Sequence, residues 1–386
     1  MYLMHKNDIV ARFECYNYKP ATVTEIFMED KMPIGLRGDT DFATRNIMSW
    51  HSNRAIPIGR MNYEKIEDAL KNFGGLDKVT FNSMGLSLND CYWYKNENSS
   101  LTWEDVNFRD NNFSEDLFRL EVTGVIDPKK SPDYRTNGAL KKFWTIQDGS
   151  PILVKSGEFD GVTNGSGILA ANEVYVSILA NVYLGFKAAT YSRVDVDNSN
   201  EKWCASECFI KRDEDLVTAR DLMNQAGIYN ENVLYDLIKK ELPQAMDAID
   251  NMIMLDVLVH NTDRHPDNIG FIFDADTGNF KRVAPIFDSG NCLSFAAERF
   301  NKDNVNNMRF PTSNRSKCLD IADIFLGFGK ESFINRVIPL LEQIYKEFDI
   351  PEHRLEIAKQ DLLQGIDILF DREIPEIDED IELGDE

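Results

Sequence analysis

Hydrophobic and polar positions change rhythm several times along the chain. ARFECYNY and TVTEIFM alternate with a period of two and predict strands around a Lys19-Pro20-Ala21 turn, whereas MPIGLRGD reads as a loop. Helical spacing follows in FATRNIMSWHSNR, with Phe42, Ile47, Met48 and Trp50 on or near one face, and in YEKIEDALKNF, which stops at Gly74-Gly75. The aromatic stretch GLSLNDCYWYKNENSSLTWEDVNFRDNNFSED is broken by Asn, Asp and Ser and predicts an irregular segment packed by its rings. A hairpin is expected next: Ala139–Ile146, a turn at Gln147-Asp148-Gly149-Ser150, then Pro151–Lys155. ILAANEVYVSILANVYLG predicts a helix ended by Gly185, and KAATYSRVDV and KWCASECFI two more strands about the turn DNSN. From about residue 213 the pattern is mainly helical. QAMDAIDNMIMLDVLVHN has Met246, Ile249, Ile253 and Val257 at helical spacing and further apolar residues on its other sides, so it predicts a helix buried on most faces.

That helix runs into HNTDRHPDNIGFIFDADTGNFKRVAPIFDSG, residues 260–290. Within it the pattern becomes strand, turn, strand: Gly270–Phe273, Asp274–Gly278 and Phe280–Phe287. A hairpin returns its two ends to one place, so Asn268 and Asp288 become neighbours despite twenty intervening positions. Asp263, Asn268 and Asp288 form a set suited to phosphoryl transfer, which needs alignment and charge neutralisation more than covalent help. Asp263 is the candidate base for an acceptor hydroxyl. Asn268 and Asp288 offer the oxygen ligands that Mg²⁺ prefers. The Asp-x4-Asn spacing is that of a protein-kinase catalytic loop. His260 is expected to cap the preceding helix, and His265 to orient the loop or touch a phosphate. Metal-dependent hydrolysis with histidine ligands is the weaker alternative.

Upstream parts occur in the order a nucleotide-binding unit needs. Thr136, Asn137 and Gly138 sit before a strand, where glycine lets backbone N–H groups approach phosphates. Lys155 ends the second strand and Glu173 lies early in the next helix, so an ion pair can aim the lysine at the ATP phosphates. Glu207, Cys208, Phe209 and Ile210 fall where the chain would cross between lobes and offer backbone groups to adenine.

Composition narrows the classes. The chain has 386 residues, a formal charge of -23 and 43% apolar residues, with Phe 24, Tyr 13 and Trp 5 to build cores. Such a negative field argues against a direct nucleic-acid role. No apolar run approaches the ~18–20 residues of a membrane helix, and no secretory signal is visible, so a cytoplasmic protein is expected. The six cysteines are scattered, consistent with reduced thiols; Cys204 and Cys208 read as buried filler on one strand face. The acidic end DREIPEIDEDIELGDE reads as a solvated tail.

At residues 260–290 the sequence resembles the HipA-like kinases, bacterial toxin kinases that include CtkA-type proteins. The D-x-H-x-x-N string is present as Asp263, His265 and Asn268, followed by PIFDSG with Asp288. The resemblance covers about residues 130–370. It implies an α+β, two-lobed protein-kinase-like fold, with a β-rich lobe over 126–212, a helical lobe over 213–386 and an additional N-terminal α/β region over 1–125. It further implies an ATP- and Mg²⁺-dependent serine/threonine protein kinase, a protein substrate and an antitoxin or regulatory partner. Asp263 corresponds to the catalytic base, Asn268 and Asp288 to the Mg²⁺ ligands, Lys155 to the phosphate lysine and Glu173 to its partner. TNGALKKFW stands at the phosphate loop and departs from the family's S-I-S-G-x-Q form. D-R-H-x-x-N also resembles phosphoinositide kinases, which leaves a lipid or small-molecule acceptor open, as well as a nucleotide-binding pseudokinase.

Overall fold

The computed structural model describes residues 1–136, 138–159, 162–163, 166–301 and 329–371. Asn137, Cys318, the segment LDIADIFLGF and the acidic tail from Arg372 onward lie outside the described residues. Three antiparallel sheets organise the rest.

The first contains β1 (Tyr2–His5), β2 (Asp8–Tyr16), β3 (Lys19–Ile26) and β4 (Tyr92–Lys95), in the order β3-β2-β1-β4. The β2–β3 turn falls at Asn17 and Tyr18, both at positive φ, not at Lys19-Pro20-Ala21. Pro20 instead lies inside β3, which tolerates it because β3 is an edge strand. Helix α1 (Thr40–Ser52) covers this sheet with Ala43, Ile47 and Trp50, whereas Met48 is exposed. The aromatic stretch expected to be irregular supplies β4, too short to show a period. It then forms α4 (Trp103–Val106), after α2 (Tyr63–Leu70) and α3 (Leu76–Asn82), with α5 (Asp116–Thr123) following.

The second sheet orders β5 (Lys142–Gln147), β6 (Ser150–Ser156), β7 (Tyr191–Val194) and β8 (Trp203–Glu207) as β5-β6-β8-β7. Asp148 and Gly149, both at positive φ, make the tight β5–β6 turn. Ile66, Leu70, Leu117 and Leu120 share one apolar cluster with Phe143, Val154 and Trp203, so the N-terminal helices pack on this sheet. Helix α6 (Ile168–Ile178) continues as a π-helical turn over Leu179–Leu184 and ends at Gly185.

The third sheet contains β9 (Glu214–Thr218), β10 (Gly270–Asp274) and β11 (Phe280–Val283), in the order β11-β10-β9. β9 departs from the helical expectation after residue 213; its DLV run is short and becomes a strand by pairing with β10. β11 stops at Val283, four residues early; beyond it Ile286 bridges to Ala188 instead, its N–H donating to the Lys187 carbonyl at 2.8 Å. Helices α7 (Ala219–Ala226), α8 (Leu234–Glu241), α9 (Met246–Val259), α10 (Lys330–Glu347) and α11 (Glu352–Asp371) follow among the described residues. Helix α9 is buried along its C-terminal half, as the sequence predicts, and shares a core with α6, α10 and α11. Gly365 permits the close α9–α11 crossing, since a Cβ there would collide with the carbonyl oxygen of Leu258. Among the described residues no helix is long and apolar enough to cross a membrane.

Candidate active site

The C-terminus of α9 aims the loop that follows it. His260 is the left-handed C-cap residue, and its Nδ1 lies 2.8 Å from Asp361 Oδ1 on α11. Arg264, fully buried, then ties the loop to its surroundings. It donates to Asp256 at 2.9 and 3.0 Å, to the carbonyls of Asn268 at 3.0 Å and Phe287 at 2.6 Å, and to Ser289 Oγ at 2.9 Å. One nitrogen of Arg264 thus holds both ends of the β10–β11 hairpin together. Burial works against the guanidinium charge, but Asp256 outweighs it and raises the Arg264 pKa. Neither Arg264 nor Asp256 was singled out in the sequence. The signal was a lone acid, Asp256, in the apolar run MIMLDVLV.

Within the loop, Asn268 Nδ2 donates to the Asp263 carbonyl at 3.1 Å, which leaves its side-chain oxygen as the acceptor group. The Asp263 carboxylate accepts from Asn291 Nδ2 at 2.8 Å. His265 accepts the Asp267 N–H through Nδ1 at 3.3 Å and caps the short turn Pro266–Asn268. This bond ties the ring to the backbone of its own loop.

Lys155 lies at the centre. It is 2% exposed, and its ammonium bonds both Glu173 and, at 2.5 Å, Asp288. Burial alone would lower the lysine pKa; the carboxylates of Asp288 and Glu173 outweigh it and hold the group well above the ordinary lysine range. Asp288 is likewise opposed by burial yet held well below the usual carboxylate range, chiefly by Lys155 and Lys142. The second Glu173 oxygen accepts the Ser289 N–H at 3.1 Å, so α6 fixes the lysine and the chain just after Asp288 together. Asp288 itself sits at φ 57, a left-handed conformation held by these neighbours.

Lys142 lies directly across the β5–β6 ladder from Lys155 and faces the same cavity. Burial lowers its pKa to about 7, partly offset by Asp288. Folding therefore favours the neutral amine, and the cost of burying its charge fades as pH rises from about 7 towards the unfolded value near 10.5. Stability should accordingly rise between pH 7 and 9.5. Lys142→Met should flatten that rise in denaturant titrations; an unchanged slope would contradict it. Lys141, its neighbour, instead pairs with Glu201.

A cavity of about 610 Å³ collects these groups, a size suited to a nucleotide. Thr136, Gly138, Lys155, Glu173, Glu207, Cys208, Phe209, Ile210, Asp263, His265, Asn268 and Asp288 all line it. In the 207–210 segment several backbone groups are already engaged: Cys208 N–H donates to Pro151 at 2.9 Å, and the carbonyls of Glu207, Phe209 and Ile210 accept from Ser206 Oγ at 3.3 Å, Arg282 at 3.2 Å and Cys208 Sγ at 3.7 Å. Cys208 lies beyond the end of β8 and is half-buried beside Arg109, so it does not share a strand face with the buried Cys204. Trp50 and Tyr92 of the N-terminal region also line the cavity. That region docks on β9 through Asp215, whose oxygens bind the Cys91 N–H at 2.8 Å and the His5 ring at 2.7 Å. His5, Cys91 and Asp215 approach within 4.8 Å, a grouping that linear ligand spacing cannot reveal.

No protein-family model and no curated protein matches the chain. Solved structures do. A chain of the Shewanella oneidensis MR-1 toxin–antitoxin complex of HipA, HipB and operator DNA superposes with a TM-score of 0.52 at 13% identity, over 97% of this chain and 100% of its own. The fold is HipA-like. A looser likeness, TM-score 0.44 at 20% identity, is to the Helicobacter pylori proinflammatory kinase CtkA, over 60% of this chain and 93% of that one. The HipA likeness extends across residues 1–125 as well as the site-bearing part, beyond the 130–370 span of the sequence resemblance.

Proposed function

We propose that the chain is an ATP- and Mg²⁺-dependent serine/threonine protein kinase of the HipA-like class, passing the γ-phosphoryl group of ATP to a protein hydroxyl. The observation that carries this is buried Lys155, bonded at once to Glu173 and Asp288. A buried cation held by two acids on separate elements is what fixing a nucleotide's phosphates requires. In this reading residues 126–212 form a nucleotide lobe, 213–386 a helical lobe, and 1–125 an accessory region.

Lys155 binds the α- and β-phosphates, and Glu173 holds it in place. Glu207 to Ile210 face the adenine. Thr136 and Gly138, with Asn137 between them, face the phosphates. Asn268 and Asp288 would hold Mg²⁺; they supply only oxygen donors, which suits a hard cation and not a thiophilic one. When bound, Mg²⁺ neutralises phosphate charge. Asp263 accepts the proton of the attacking hydroxyl, fixed by Asn291, while His265 keeps the loop in register. A protein partner is proposed on the likeness to the HipA–HipB complex. A cytoplasmic setting is proposed on the free thiols of Cys15, Cys91, Cys204, Cys208 and Cys292.

Incubation with γ-labelled ATP, Mg²⁺, a protein mixture and phosphoinositide vesicles tests the function. Label in protein, abolished by chelator, is expected. Label confined to lipid would overturn the protein acceptor, and no label at all would overturn the activity. Asp288→Asn should weaken Mg²⁺-dependent ATP binding about tenfold or more, since one charged ligand is lost. Calorimetry with and without Mg²⁺ checks this; unchanged affinity would remove Asp288 from the metal site.

A further inference from the structure

The N-terminal region does more than wall the cavity. Residues 57–60 form a tight turn, with the Arg60 N–H donating to the Pro57 carbonyl at 3.0 Å. From that turn Arg60 reaches into the loop before β5, where its side chain is almost wholly buried. It donates to the Gly138 carbonyl at 2.8 Å, to Thr136 Oγ1 at 3.1 Å, to the Lys142 carbonyl at 3.4 Å and to the Thr136 carbonyl. The next residue adds a backbone bond, Met61 N–H to the Ala139 carbonyl at 2.9 Å.

These bonds share a direction. The loop carbonyls turn towards residues 60–61. In a trans peptide the C=O and the following N–H point opposite ways. Holding the carbonyls of Gly138 and Ala139 therefore sends the N–H groups of Ala139 and Leu140 to the far side. Gly138, at φ 99, makes the bend; a Cβ there would meet Lys142 Nζ at 2.6 Å. A second brace starts in the same region. Arg54 bonds Asp90 at 2.8 and 3.1 Å, and Asp90 in turn accepts from Arg135, the residue before the loop.

We infer that Arg60 is a positioning residue for nucleotide phosphates: it fixes the loop 136–142 so that backbone N–H groups are presented to them. This rests on the nucleotide-binding reading above. Through Arg60, residues 1–125 thereby act on the site beyond walling its cavity. Arg60→Gln cannot span the same four acceptors, and Arg60→Lys keeps the charge but has a single donor nitrogen.

Calorimetric titration of the full chain with Mg²⁺–AMP-PNP and, separately, with adenosine tests the inference. Adenosine reports the base pocket and lacks phosphates. Arg60→Gln should weaken AMP-PNP about tenfold or more and leave adenosine within about twofold, with Arg60→Lys in between. Equal losses for both ligands, or none, would overturn it. Should Arg60→Gln fail to fold, hydrogen–deuterium exchange on the wild type decides. Peptides covering 136–142 should gain protection with AMP-PNP and not with adenosine; no gain overturns the inference. A wild type that binds neither ligand takes down the nucleotide-binding reading itself, and the inference with it. Wild-type binding that is indifferent to Arg60 takes down the inference alone.

Discussion

Asp263→Ala should cut phosphoryl transfer from ATP by about 10²–10⁴-fold, the usual worth of a positioned general base, while leaving nucleotide affinity within a few-fold. The separation follows from where Asp263 sits. Its carboxylate is held by Asn291, and its backbone carbonyl by Asn268. Lys155 is held by Glu173 and Asp288, and the 207–210 segment by Pro151 and Arg282, so the groups proposed to grip the nucleotide keep these anchors in the variant. Single-turnover label transfer measures the first quantity and calorimetry the second. Equal label incorporation by wild type and variant would remove Asp263 from the chemistry. A parallel loss of nucleotide binding would make it a structural residue.

The largest stability effect is expected at Asp256. Removing it as Asp256→Ala leaves the Arg264 guanidinium buried with its ionic partner gone, a loss of about 3–5 kcal/mol. For a chain of this size that lowers the unfolding midpoint by roughly 5 °C. The damage is not only to stability. Arg264 also holds the carbonyls of Asn268 and Phe287, so its displacement separates the two ends of the hairpin. The double variant Asp256→Leu with Arg264→Met removes both charges and should regain part of the stability. It should not regain transfer, because the hairpin ends lose their shared donor. Thermal unfolding and label transfer on the three proteins check this. A double variant as active as wild type would contradict the role given to Arg264.

The hairpin between Asn268 and Asp288 was legible because its turn residues and apolar runs obey local rules, and the helix before it because its apolar stripe is wide. Lys155 and Glu173 were legible by order: a strand lysine, then a helix acid. Less visible were features that exist only through contact. β4 and β9 are short and become strands by pairing with β1 and β10. Pro20 looked like a turn residue because sequence cannot say that β3 lies at a sheet edge. Arg264 was hidden between Asp263 and His265, since its five bonds reach residues from 256 to 289. Arg60 was beyond reach for the same reason: three of its four acceptors are backbone carbonyls some eighty positions away, and carbonyls leave no mark in a sequence.

A crystal structure with Mg²⁺ and a non-hydrolysable ATP analogue tests the proposed chemistry most directly. The analogue's α- and β-phosphates should lie on Lys155, its base against Glu207–Ile210, the metal on Asn268 and Asp288, and its γ-phosphate towards Asp263. A nucleotide bound away from Lys155, or a metal held by neither Asn268 nor Asp288, would contradict it.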